Sequence, residues 1–429
     1  MSKLTVAISS PVDTYSGYGA RSRDLVKALL KSNKYNVVLL SQRWGNTRFG
    51  YLEDHNETEL SSLIVPGLQS QPDVWIQITV PNEFQKVGKY NIGVTAGMET
   101  TLMHQSWIEG CNRMDLILTS SEHSKNVIKG SVYDIKDKNT NAIINKLSLE
   151  KPIEVLFEGV DINKYTVAYT KSELSKSLDS IKENFCYLVV GHWMQGEFGH
   201  DRKNIGYTIK SFLESFKTKQ KPPALILKTH TATTSIMDRE RILEKIDAIK
   251  KTVKGGRLPN IYLIHGEISD EQINELYNHP KVKVMVSHTK GEGFGRPLLE
   301  FTTTGKPIIA SGWSGQVDFL DKDLTLLIGG TLQNVHPSAA VKDMILTEAQ
   351  WFTPSDADVS KAYKKSFKQY KELIKSAKKQ RRHTLDNFTF DDMTDKLQSI
   401  LDNNIPDMPK QIELTLPKLE LPKLEKIDG

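Results

Sequence analysis

The 429-residue chain is poor in cysteine, in long apolar runs and in charge of one sign, and each shortage excludes a class of protein. Only Cys111 and Cys186 are present. Two are too few for a disulfide framework or a dedicated zinc site, and they suit a reducing compartment, so the cytoplasm is the expected location. No apolar stretch approaches the ~20 residues that cross a bilayer. The N-terminus runs from Met1 straight into the strand-like Leu4–Ile8, so no leader peptide is expected. Lys plus Arg total 57 and Asp plus Glu 52, a net charge of +5, which favours anionic ligands but is too small to mark a nucleic-acid binder. No Asp-x-Asp pair stands at the end of a predicted strand, so no metal site is expected.

What is present is alternation. Short runs rich in Val, Ile and Leu (Leu4–Ile8, Val37–Leu40, Val74–Ile78, Asn91–Thr95, Leu116–Thr119 and Pro152–Leu156) alternate with helix-like stretches. This is the pattern of buried parallel strands. After Glu158-Gly159-Val160-Asp161 the series restarts with Phe185–Val190, Ala224–Leu227, Asn260–Ile264, Lys283–Val286 and Pro307–Ala310. Two such series predict an α/β protein of two Rossmann-like, doubly wound domains facing across a cleft, with ligands at the carboxyl ends of the strands. The expected boundaries are 1–165 and 166–382, then a helix over 383–404 returning to the first domain, then an extended Pro/Lys/Leu/Glu tail over 405–429.

Beyond Trp351 the spacing of Tyr363, Phe367, Tyr370, Ile374 and Ala377 predicts one helix with an apolar seam. Lys364, Lys368, Lys371 and Lys375 run beside it. A solvated helix flank and a track for a polyanion both fit that pattern.

The segment richest in chemistry is Gly291-Glu292-Gly293-Phe294-Gly295-Arg296-Pro297-Leu298-Leu299-Glu300. Its glycines let backbone N–H groups approach an anion, and Arg296-Pro297 opens a helix whose N-terminus favours negative charge. A carboxylate at Glu300 can accept hydrogen bonds from hydroxyls such as those of a sugar. An ordinary glycine turn with two solvated glutamates has the same spacing.

This segment resembles the signature of nucleotide-sugar glycosyltransferases of the GT-B fold, in particular retaining glycosyltransferase family 4. His265-Gly266, Leu276-Tyr277 and Gly305-Lys306-Pro307-Ile308-Ile309-Ala310 appear in that family's order. The resemblance covers about 185–330 closely and 1–165 more loosely. It implies that Glu300 binds the donor ribose, that Glu292 sits beside the transferred sugar, and that Gly293, Phe294 and Gly295 present backbone groups to sugar and diphosphate. It assigns diphosphate binding to Lys203, Arg202 and Lys228, with His192 standing where relatives carry an arginine. His265, and the loop with Gly17 and Gly19, complete the donor side. Many relatives place a histidine near the reacting sugar at the position of Thr95–Thr101; here Glu99 is the acidic candidate and His104 a poorer one.

The resemblance implies no cofactor beyond a UDP- or GDP-type nucleotide sugar as co-substrate, no metal, and a retaining hexosyl transfer to an acceptor hydroxyl. A saccharide or lipid-linked glycan is the first acceptor class, and Trp44, Trp75, Trp107 and Tyr18 are candidates to stack on its rings. DNA with a hydroxymethylated base, as some virus-encoded relatives use, is the alternative; the cytoplasm would then be that of the host. A sugar-nucleotide epimerase and a non-catalytic sugar-nucleotide-binding subunit are the competing functions.

Overall fold

The computed structural model describes residues 3–231 and 234–408. Its first half contains β1 (Leu4–Ser10), β2 (Tyr35–Ser41), β3 (Val74–Ile78), β4 (Tyr90–Val94), β5 (Leu116–Thr119), β6 (Tyr133–Lys136), β7 (Ile143–Leu147) and β8 (Ile153–Val155). The second half contains β9 (Cys186–Val190), β10 (Ala224–Lys228), β11 (Ile261–Ile264), β12 (Val282–Ser287), β13 (Ile308–Ser311), β14 (Leu326–Ile328), β15 (Gly330–Asn334) and β16 (Gln350–Pro354).

Two six-stranded parallel sheets result, in the orders β2-β1-β3-β4-β5-β8 and β11-β10-β9-β12-β13-β14. Both faces of each sheet are covered by helices, which is why the strands read as unbroken apolar runs; every residue of β5 and β10 is buried. The second order is that of a dinucleotide-binding fold, with its switch point between β9 and β12.

The crossover helices carry their own start and stop signals. In Gly17–Ser32 the Ser16 side chain accepts from the Gly19 N–H, Leu25, Val26, Ala28 and Leu29 form the buried stripe, and Asn33 ends the helix at φ 52°. The chain crosses between the halves twice, side by side. Val160 N–H donates to Phe388 O at 2.9 Å, and Phe390 N–H donates to Val160 O at 2.9 Å. Beyond the crossing, Thr389 and Asp392 form a capping box for the helix Phe390–Asn404. That helix packs on Gly17–Ser32 through Met393, Leu397, Ile400 and Leu401.

Three features depart from the sequence expectation. The lysine-flanked helix is two helices, Asp356–Lys368 and Tyr370–Asn387, because Gln369 leaves helical geometry at φ −112°, ψ 32° and interrupts the hydrogen-bond ladder. Phe367 before the break and Tyr370 after it both pack on Phe185. The second helix runs on past Arg382 to Asn387, so the crossing comes at Phe388. Two antiparallel hairpins, β6–β7 and β15–β16, were not expected. Of the tail, residues 409–429 lie outside the described residues.

Candidate active site

Between the sheets lies a cavity of about 770 Å³. Its second-domain wall comes from the carboxyl ends of β9, β10 and β11 and the helix Arg296–Thr302: His192, Lys228, Ser269, Asp270, Arg296 and Glu300. Its first-domain wall includes Tyr15, Gly17, Arg23, Asp24, Trp44 and Tyr51.

The glycine motif follows β12. Gly295 holds φ +103°, a left-handed conformation that starts the helix Arg296–Thr302 with Pro297 in its first turn. The other glycines serve contact between domains. A Cβ on Gly291 would lie 1.9 Å from Glu99 O, and one on Gly293 would lie 2.1 Å from Ala96 O. Ser120 Oγ sits 2.5 Å from Ala96 O and 3.0 Å from Gly293 O. The turn that the sequence offers to an anion therefore presses on the first domain. Phe294 is buried against Phe319.

The two glutamates of the motif lie in different surroundings. Both Glu292 oxygens bind Lys203 Nζ, at 2.6 and 2.7 Å, and Arg202 Nη1 is 3.3 Å from Oε2. Arg202 also donates to Gly291 O at 2.9 Å and reaches Glu99 at 3.5 Å. Burial acts to raise the Glu292 pKa, but the Lys203 and Arg202 charges overcome it and hold the carboxyl below its usual range. Glu300 accepts from Tyr277 Oη and Arg296 Nε, each at 3.2 Å. Burial there outweighs Arg296, Asp270 adds to the rise, and the carboxyl is pushed up to about 7.

The sequence candidates thus separate into groups. Gly17, His192, Lys228 and Glu300 line the cavity. Glu99, Arg202, Lys203 and Glu292 form an ion-paired cluster behind the glycine turn. Lys228 Nζ donates to Gly266 O at 2.8 Å. His192 does not supply the cation that its position suggested. Burial, then the neighbouring His230, Lys203, Arg202 and Lys228, push it down to about 3, so it is neutral near pH 7. His265 turns away from the cavity and places Nε2 2.9 Å from Asp238. Gly19 serves close packing, since a Cβ there would lie 2.3 Å from Thr14 O, and its N–H is used by Ser16.

Trp75 and Trp107 are core residues, whereas Trp44 stacks on Tyr18 at 4.0 Å and lines the cavity. His104 caps the helix Gln105–Asn112. Asp356-Ala357-Asp358 does follow a strand, the unexpected β16, but Asp356 accepts from Tyr207 Oη at 2.6 Å, apart from the residues lining the cavity. Among the described residues no group of three or more His, Cys, Asp or Glu side chains gathers as metal ligands. No described helix is long and apolar enough to cross a membrane.

Sequence reasoning missed Asp24, Asp270 and Lys164. Each is an ordinary helix or loop charge until the fold sets it against a residue from the other half; Lys164 and Asp270 pair at 3.0 Å.

No curated protein sequence matches the chain. Solved structures do. A glycosyltransferase from Rickettsia africae aligns with TM-score 0.61 at 14% identity over 95% of this chain and 100% of its own. Sucrose-phosphate synthase from Thermosynechococcus elongatus gives 0.60 at 11%, over 94% and 99%. The Anabaena protein HepE in complex with UDP-glucose gives 0.59 at 14%, over 93% and 100%. These likenesses establish the fold. Residues 246–345, the span that carries Asp270, Tyr277, Glu292, Arg296 and Glu300, match the family of glycosyl transferases group 1, and they do so on the fold of the GT-B glycosyltransferases.

Proposed function

We propose that the chain is a retaining, metal-independent glycosyltransferase that moves a hexosyl group from a UDP- or GDP-type nucleotide sugar to an acceptor hydroxyl. The observation that carries this reading is the divergence of Glu300, at the cavity wall, and Glu292, in the ion cluster behind the glycine turn. Glu300 stands at the cavity wall with a carboxylate suited to ribose hydroxyls. Glu292, Lys203 and Arg202 form a fixed ion cluster beside the switch point.

In this account Lys228 faces the diphosphate from the cavity wall, and Lys203 and Arg202 add their charge from the cluster behind the glycine turn. The leaving nucleoside diphosphate gains charge in the transition state, and cations already oriented by Glu292 stabilise it without reorganising. Glu292, held ionised, faces the positive charge that develops on the sugar ring. Glu99 is tied to Arg202 at 3.5 Å, so the first domain brings a carboxylate to the same cluster. The donor phosphate takes the acceptor proton, and no protein base is required.

For the acceptor, the ring of Trp44 in the cavity wall favours a saccharide or lipid-linked glycan. A second observation favours DNA. Lys361, Lys364, Lys365 and Lys368 share one face of the helix Asp356–Lys368 and make no ion pair with a described carboxylate. A duplex held there would show a steep loss of affinity with salt, and a neutral glycan would not.

The test is incubation with a panel of UDP- and GDP-sugars. Slow release of nucleoside diphosphate from one of them is the expected result. A changed sugar would replace this reading with an epimerase, and binding without turnover with a non-catalytic subunit.

A further inference from the structure

Arg296 opens the helix that carries Glu300, and its guanidinium meets carboxylates from three parts of the chain. Nη1 lies 2.5 Å from Asp24, on the first-domain helix Gly17–Ser32, and 3.5 Å from Glu158 at the crossing. Nε lies 3.2 Å from Glu300. Arg296 is 24% exposed at its side chain and Asp24 17%, so water screens these pairs only partly.

A planar guanidinium can serve two carboxylates with different edges, which a lysine ammonium cannot do in a fixed geometry. With Asp24 and Glu158 on Nη1, the guanidinium is oriented so that it meets Glu300 through Nε, at one oxygen. If the domains part at this edge, Asp24 leaves. The freed guanidinium can then rotate to set one edge, Nε with an Nη, against both Glu300 oxygens and cover the lone pairs that sugar hydroxyls need.

We propose that Asp24 is a positioning residue that acts through Arg296: by holding the guanidinium from across the cleft, it couples domain closure to donor recognition at Glu300. The inference rests on the donor role proposed for Glu300. It also explains why an aspartate of a first-domain helix belongs to the wall of a cavity whose hydroxyl-binding carboxylate is in the second domain.

The experiment compares wild type, Asp24→Asn, Arg296→Lys and the double variant, with the donor found in the sugar-nucleotide panel as probe. Folding is checked by thermal denaturation. Wild type is expected to compact on adding donor, read by small-angle scattering; Asp24→Asn is expected to lose that compaction and to raise the donor KM roughly tenfold with a smaller fall in kcat. Arg296→Lys is expected to do the same, and the double variant to be no worse than the worse single, because both break one link. Equal donor KM in wild type and Asp24→Asn would overturn the coupling while leaving the glycosyltransferase reading intact. Additive losses would also overturn it, because Asp24 would then act on the donor directly. A wild type that binds no sugar nucleotide would remove both readings together.

Discussion

Glu292 and Glu300 come from one ten-residue motif, yet the fold gives them opposite electrostatic situations. Glu292 faces two cations, Lys203 and Arg202, whose charges hold its carboxyl below the usual range. Glu300 faces one cation, which Asp24 and Glu158 share, and sits in a buried site near Asp270, so its proton leaves only at about 7. Two carboxyls driven apart in pKa are suited to different tasks. On the proposed function, Glu292 would be a charge that orients cations, and Glu300 an acceptor that is costly to ionise and is relieved when hydroxyl donors arrive.

The largest expected effect comes from breaking the Glu292 side of that contrast. Glu292→Gln leaves Lys203 and Arg202 buried without their main counter-charge, and removing one partner of a buried pair costs about 3–5 kcal/mol. Urea denaturation should show a loss of that order, and donor turnover should collapse with it. Lys203→Ala leaves Arg202 on Glu292, so turnover at saturating donor should fall more than stability does. Unchanged turnover would remove Lys203 from the diphosphate site.

Glu300→Gln sharpens the contrast, because stability and binding should move in opposite directions. Donor affinity should drop by about 1.5–3 kcal/mol, the range for a hydrogen bond to a charged group. For stability, the folded pKa of about 7 lies above the ordinary carboxyl value of 4.5. Between those values the folded state holds a proton that the unfolded state has lost, so wild-type stability falls as pH rises through the window and the penalty stays constant above it. A gap of 2.5 pH units corresponds to ~3 kcal/mol. Denaturation of Glu300→Gln at pH 5 and pH 8 should lack most of that slope.

The smallest effect concerns the acceptor. Replacing Lys364, Lys368, Lys371 and Lys375 with Gln should leave fold and donor hydrolysis unchanged, since all four are exposed. If DNA is the acceptor, the same variant should weaken duplex binding at every sequence and flatten its salt dependence. A gel shift with hydroxymethylated and plain duplexes separates the cases, and no binding to either at low salt leaves a saccharide or lipid-linked acceptor.

The strands of both sheets were legible because burial on two faces writes itself as continuous Val, Ile and Leu. β14, an edge strand in which only Ile328 is fully buried, was missed. The hairpin β6–β7 was missed because β6 is exposed beyond Tyr133, so no buried face imposes a pattern on it. At the site, Glu292, Glu300, Lys203 and Lys228 stood out through chemical type and spacing. What sequence could not show was direction. His265 had the same credentials as His192, yet one binds Asp238 and the other lines the cavity. Asp24 had none, because its meaning comes from an arginine 272 positions away.

The most direct test of the central claim is the pH dependence of nucleotide-sugar affinity by calorimetry, wild type against Glu300→Gln. The intact diphosphate diester has no group that titrates near neutrality, so a change near pH 7 reports the protein. Wild-type affinity should rise as pH passes through about 7, when Glu300 becomes a full acceptor, and the variant should be weaker and flat over the same range. Parallel curves of equal affinity for the two proteins would contradict that claim.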